Sequence, residues 1–96
     1  MKIDLNFPPF QQDLFSLDKT QLTAFVKIVK KINKMDLRQI RQSSGLNLEK
    51  IKNLKTSNGK TLYSIRMSKS FRAVICIEDD FIRFISLHPD HDSAYK

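Results

Sequence analysis

Apolar residues along this chain recur with two different periods, and the change between them falls near residue 60. In the first part Leu22, Phe25, Val26, Val29 and Ile32 stand three or four apart, the spacing that lines one face of an α-helix. Asp18 precedes this run as an N-cap and Gln21 completes a capping box, so the pattern predicts a helix over about 19–34. Its other face carries Lys27, Lys30, Lys31 and Lys34. Asp36 caps a shorter helix over about 37–43, with Leu37 and Ile40 inward, Arg38 and Arg41 outward, and Ser43-Ser44-Gly45 as its stop. Two helices joined by so short a link are expected to pack as a hairpin. Leu46, Leu48, Ile51 and Leu54 continue an apolar pattern that fits either an extended segment or a helical turn.

Beyond Asn58-Gly59 the helical period gives way to strands over 61–68, 71–78 and 81–87. Ser68-Lys69-Ser70 separates the first two, and Asp79-Asp80 is a link short enough for a tight hairpin. The middle strand is nearly all apolar, as expected of a central strand covered by the helices. In the third, Phe81, Arg83 and Ile85 alternate with Ile82, Phe84 and Ser86. Pro8-Pro9 and the cluster Phe7, Phe10, Leu14 and Phe15 place the N-terminal segment against the core without making it a regular central strand. The expected fold is α+β: an N-terminal helical hairpin packed on a three- to four-stranded antiparallel sheet. Length supports one domain, residues 1–96.

Composition is that of an ordinary globular protein, 41% hydrophobic and 28% charged. No apolar run has the length of a membrane span, and Asp4 and the two prolines stand where a signal peptide would be apolar, so the expected location is the cytoplasm. The single cysteine, Cys76, lies inside an apolar run and reads as a small buried hydrophobe. Charge changes the picture more. The net charge is +7, but fourteen Lys or Arg lie from Lys19 to Arg72 against two acids, Asp36 and Glu49, a local balance of +12. Such a field draws in polyanions, and nucleic acid is the first candidate partner. A solvated face, or a face covered by an acidic protein, is the competing reading.

Candidate chemistry gathers in the last third of the chain. Arg66 and Arg72 are single cations in strand-forming stretches, and Arg72 opens the most apolar strand, so its guanidinium must meet an acid, Glu78 or one of the tail, or open onto a groove. Two such forks suit a phosphate. His88, His91 and Tyr95 follow the last strand and supply groups able to carry protons. Asp90 and Asp92 beside the histidines raise a metal site as a rival, but the spacing matches no zinc signature, and no metal or other cofactor is expected. A plain solvated tail is the other rival.

The order of elements, with YSIR, SFRAVICI, FIRFISLH and a terminal HDSAY, resembles the toxins of bacterial type II toxin-antitoxin modules, the RelE/ParE superfamily, over about residues 19–96. For the ribonuclease branch the resemblance implies that Arg72 contacts the scissile phosphate of translated messenger RNA, with Arg66 as a second cation. It implies proton transfer by His91 and Tyr95, with His88 in support. Lys27, Lys30, Lys31, Lys34, Lys50, Lys52 and Lys55 would hold RNA, and an acidic antitoxin would be the protein partner. The chain departs from the family pattern in three ways: no first strand is evident before the helices, the tail is acidic, and no glutamate base is placed. Inhibition of DNA gyrase as in the ParE branch, RNA binding without cleavage, and antitoxin binding alone are the alternatives.

Overall fold

The computed structural model describes residues 1–89, so His91 and Tyr95 lie outside the described residues. The elements run β1 (Lys2–Asp4), α1 (Pro8–Phe15), α2 (Lys19–Asn33), α3 (Leu37–Gln42), β2 (Glu49–Lys55), β3 (Thr61–Arg66), β4 (Arg72–Glu78) and β5 (Phe81–His88). Both capping boxes form as expected: Asp18 accepts from the Gln21 amide and Asp36 from the Gln39 amide, each at 2.8 Å. Of the ambiguous stretch after residue 45, Leu46 lies in a turn, and Ile51 and Leu54 belong to the extended strand β2.

The five strands form one sheet in the order β1-β5-β4-β3-β2. This corrects the expected three- to four-stranded antiparallel sheet, because β1 adds a parallel edge against β5, pairing Lys2 with Phe81 and Asp4 with Arg83. A first strand therefore does precede the helices. Three residues are too few to show an alternating pattern, and β1 is fixed by tertiary pairing, including an ion pair from Arg83 Nε to Asp4 at 2.9 Å. The two-helix hairpin is corrected as well. Pro8-Pro9 opens α1, since proline is tolerated in a first helical turn whose N–H groups lack partners anyway.

All three helices cover one face of the sheet. Phe10 of α1, Phe25 of α2 and Phe84 of β5 meet with ring centroids 5.5 to 5.8 Å apart, and Ile32, Ile40, Leu46, Ile65 and Ile75 complete this core. The opposite face carries a smaller apolar cluster of Ile51, Leu62, Val74 and Cys76, against which Ile85 packs, with no helix among its members. A bulge in β5 reconciles the two faces. The β4–β5 register shifts between Val74 and Ile75, leaving Ile85 as the extra residue, so Phe84 and Leu87 both point into the helix-side core although three positions apart. Asp13 of α1 accepts the Leu87 amide at 3.0 Å just beyond it.

Candidate functional site

Strand register arranges the helix-free face in cross-strand rows, because residues directly opposite in a ladder project to the same side. The first row is Arg66–Arg72–His88, from β3, β4 and β5. The second is Glu49–Ser64–Val74–Ser86 and the third Leu62–Cys76–Arg83. Two predicted cations and one predicted imidazole thus share a row at one end of the sheet.

Arg72 is 3% exposed, yet none of the ion pairs among the described residues involves it. Its Nε and Nη2 donate to Ser64 Oγ at 3.0 and 2.8 Å, and Nη2 also donates to the Asn47 carbonyl at 2.7 Å. Of the expected alternative, the ion pair with Glu78 does not form, because Glu78 binds Arg83 at 3.4 Å, and an ion pair with an acid of the tail lies outside the described residues. Neutral acceptors therefore orient the guanidinium and leave its charge uncompensated by any described carboxylate. Arg66, its cross-strand partner, is exposed.

Asn47 links this cation to an acid. Its backbone takes a positive φ of 46°, which asparagine tolerates better than most residues, and its side-chain amide donates to Glu49 Oε1 at 3.0 Å. Glu49 is exposed and sits opposite Ser64. Reading the sequence missed Ser64, Asn47 and Glu49. Ser64 was reachable, since it stands two positions before Arg66 on one strand face, whereas the Asn47 carbonyl leaves no side-chain signal.

His88 is half-buried, and its Nε2 and Ser86 Oγ lie 2.8 Å apart. Burial lowers its pKa below the ordinary 6.5, opposed by the Asp13 carboxylate. The imidazole is therefore mostly neutral at neutral pH. Burial raises the pKa of the Cys76 thiol, consistent with the inert apolar role expected of it.

The predicted lysines divide between two places. Lys27, Lys30 and Lys31 of α2 and Lys34 at its C-terminal cap are exposed around Met35, in the layer opposite the Arg72 row. Lys50, Lys52 and Lys55 belong to the edge strand β2, and Lys55 borders a cleft of about 400 Å³ on the helix-free face. No group of three or more candidate metal ligands occurs among the described residues, and no described helix is long and apolar enough to cross a membrane.

No protein-family model and no curated protein matches the chain. Two solved structures do. A copper-bound mutant toxin from Helicobacter pylori aligns over 98% of both chains at 17% identity, with a TM-score of 0.52. The YoeB dimer from Staphylococcus aureus aligns over 90% of this chain and 92% of that one at 22% identity, with a TM-score of 0.51. The chain shares the fold of these two structures.

Proposed function

We propose that this chain, folded as the RelE-like toxins are, is the toxin of a type II toxin-antitoxin pair and cleaves translated messenger RNA without a metal. The observation that carries this reading is the Arg66–Arg72–His88 row, with a buried guanidinium held by neutral acceptors on the sheet face that no described helix covers. RNA brings its own nucleophile. A base removes the 2′-OH proton, the 2′-oxygen attacks the adjacent phosphorus to form a cyclic phosphate, and the departing 5′-oxygen takes a proton from an acid. Arg72 and Arg66 neutralise charge gathering on the phosphate, and fixed donors in a poorly solvated site are worth more than the same donors in water.

Proton transfer falls to His91 and Tyr95 in the tail that leaves β5 after His88, with His88 as their support. Glu49, tied through Asn47 to Arg72, joins them as a second candidate base. The lysines of α2 and β2 would hold the RNA backbone, in the ribosomal decoding site. An acidic antitoxin segment laid across the Arg72 row would silence it by charge complementarity.

Induction of the chain in growing cells, with messages mapped by primer extension, tests the reading. Cleaved messages from the parent, and intact messages from Arg72→Ala and from a His91→Ala, Tyr95→Ala double variant, are expected. Intact messages with accumulating DNA breaks would replace it with gyrase inhibition. Toxicity unchanged in every variant would remove catalysis altogether.

A further inference from the structure

The cleft of about 400 Å³ lies on the same sheet face as Arg72, at the far end of β4. Leu62, Cys76 and Ile85 make an apolar floor, Phe7 stands as a wall 38% exposed, and the β2–β3 loop at Ser57 and Asn58 forms the rim. The floor ends in a polar pair. Glu78 Oε1 accepts from Arg83 Nη1 at 3.4 Å, while Arg83 is braced by Asp4 at 2.9 Å and by the Phe81 ring at 5.6 Å. Among the described residues no donor reaches Glu78 Oε2, and Arg83 Nη2 makes no hydrogen bond.

Aromatic wall, apolar floor and a paired acceptor and donor are the parts of a pocket for a single flipped-out base, which single-stranded RNA presents readily. Cys76 lies four positions beyond Arg72 on β4, ~13 Å at the usual rise per residue, a short extended step of nucleic acid. Lys55 at the mouth adds a cation for the intervening backbone. Guanine matches the polar pair best. Its N1–H and N2–H groups donate to a carboxylate on one side while O6 accepts from a guanidinium on the other; adenine offers no such combination, and uracil and cytosine fill less of the volume.

We propose that this cleft seats a base near the scissile phosphate, guanine before the other three, and so sets where the strand is cut. The inference rests on the nuclease reading above but is testable without cleavage. Single-stranded DNA lacks the 2′-OH and cannot react by that route. A thymidine tetramer, and versions carrying one guanine, adenine or cytosine, would be titrated into the full chain while the amides of Leu62, Cys76 and Ile85 are followed by NMR.

The guanine version is expected to bind roughly tenfold tighter than the others, the size of one good bidentate base contact, and to shift those amides. Glu78→Gln, and Ser57→Trp at the exposed rim, should erase the preference while amides elsewhere keep their positions. Arg72→Ala should weaken all four tetramers alike and leave the preference intact. Equal affinities, or shifts confined to the Arg72 and His88 end, would overturn the inference. Guanine selection without any cleavage in cells would sink the nuclease reading and leave the pocket standing. Cleavage indifferent to guanine would do the reverse.

Discussion

Replacing Arg72 by methionine separates a charge kept for folding from a charge kept for a ligand. The guanidinium is 3% exposed and its three hydrogen bonds end on Ser64 Oγ and the Asn47 carbonyl, with no carboxylate among the described residues to repay its desolvation. An unbranched apolar side chain removes that burial penalty together with the bonds, and such exchanges of buried ions are often neutral or stabilising by about 1–4 kcal/mol. The hydroxyl and carbonyl left behind lose a partner, an opposing penalty of ~1–3 kcal/mol. The two nearly cancel, so Arg72→Met should leave the urea midpoint within the equivalent of about 1 kcal/mol of the parent.

Ser64→Ala is the contrasting perturbation. It leaves the cation in place, takes away the acceptor of Nε and leaves Nη2 only the Asn47 carbonyl, which is expected to cost ~2–3 kcal/mol and lower the melting temperature by on the order of 10 °C in a chain this size. Urea unfolding and thermal melts of both variants, beside message cleavage, form the assay. Arg72→Met that folds normally and cuts nothing supports a ligand role. A loss above about 3 kcal/mol for Arg72→Met would mean that the arginine is there for the fold, and the case for a phosphate site would fail.

Three further outcomes are expected. Phe10→Ala empties the meeting point of the three phenylalanine rings and should cost ~3–5 kcal/mol, read from the urea midpoint. His88 has a folded-state pKa below 6.5, so the unfolded chain binds the proton first; stability is full above 6.5 and falls as the pH drops through the folded value. His88→Gln should flatten that fall between about pH 8 and about pH 5, and an unchanged slope would assign it to another group. Converting Lys27, Lys30, Lys31 and Lys34 to glutamine should make the salt dependence of single-stranded RNA binding shallower, by about 0.7 in log-log slope for each phosphate contact removed. No change would leave these lysines as a solvated face.

Local signals carried much of the architecture. Asp18 with Gln21 and Asp36 with Gln39 announce α2 and α3 because a capping box is complete within four residues. The three C-terminal strands are legible because Asn58-Gly59, Ser68-Lys69-Ser70 and Asp79-Asp80 punctuate them. β1 and α1 are not, since a three-residue edge strand has no period and Pro8-Pro9 reads equally as a helix start and as a helix breaker. The Ile85 bulge explains why β5 gave no clean inside and outside. Site residues divide in the same way. Arg66 and Arg72 meet because a short turn joins their strands, which sequence does show, whereas the Ser64 and Asn47 contacts depend on register and on a left-handed backbone at residue 47.

β4 shows why the arginine calls for an explanation outside folding. From Ala73 to Cys76 the strand is buried on both faces, and an apolar residue at position 72 would extend that pattern at no desolvation penalty. The fold instead supplies two neutral acceptors from β3 and from the loop before β2, and no carboxylate among the described residues pairs with the guanidinium. Arg83, another cation on this face, is treated oppositely: Asp4 and Glu78 both bind it. One cation is neutralised where it anchors an edge strand, and the other meets no described carboxylate beside Arg66 and His88. Requirements of folding account for the first, while under the proposed function the second is a charge reserved for an anion that arrives from outside.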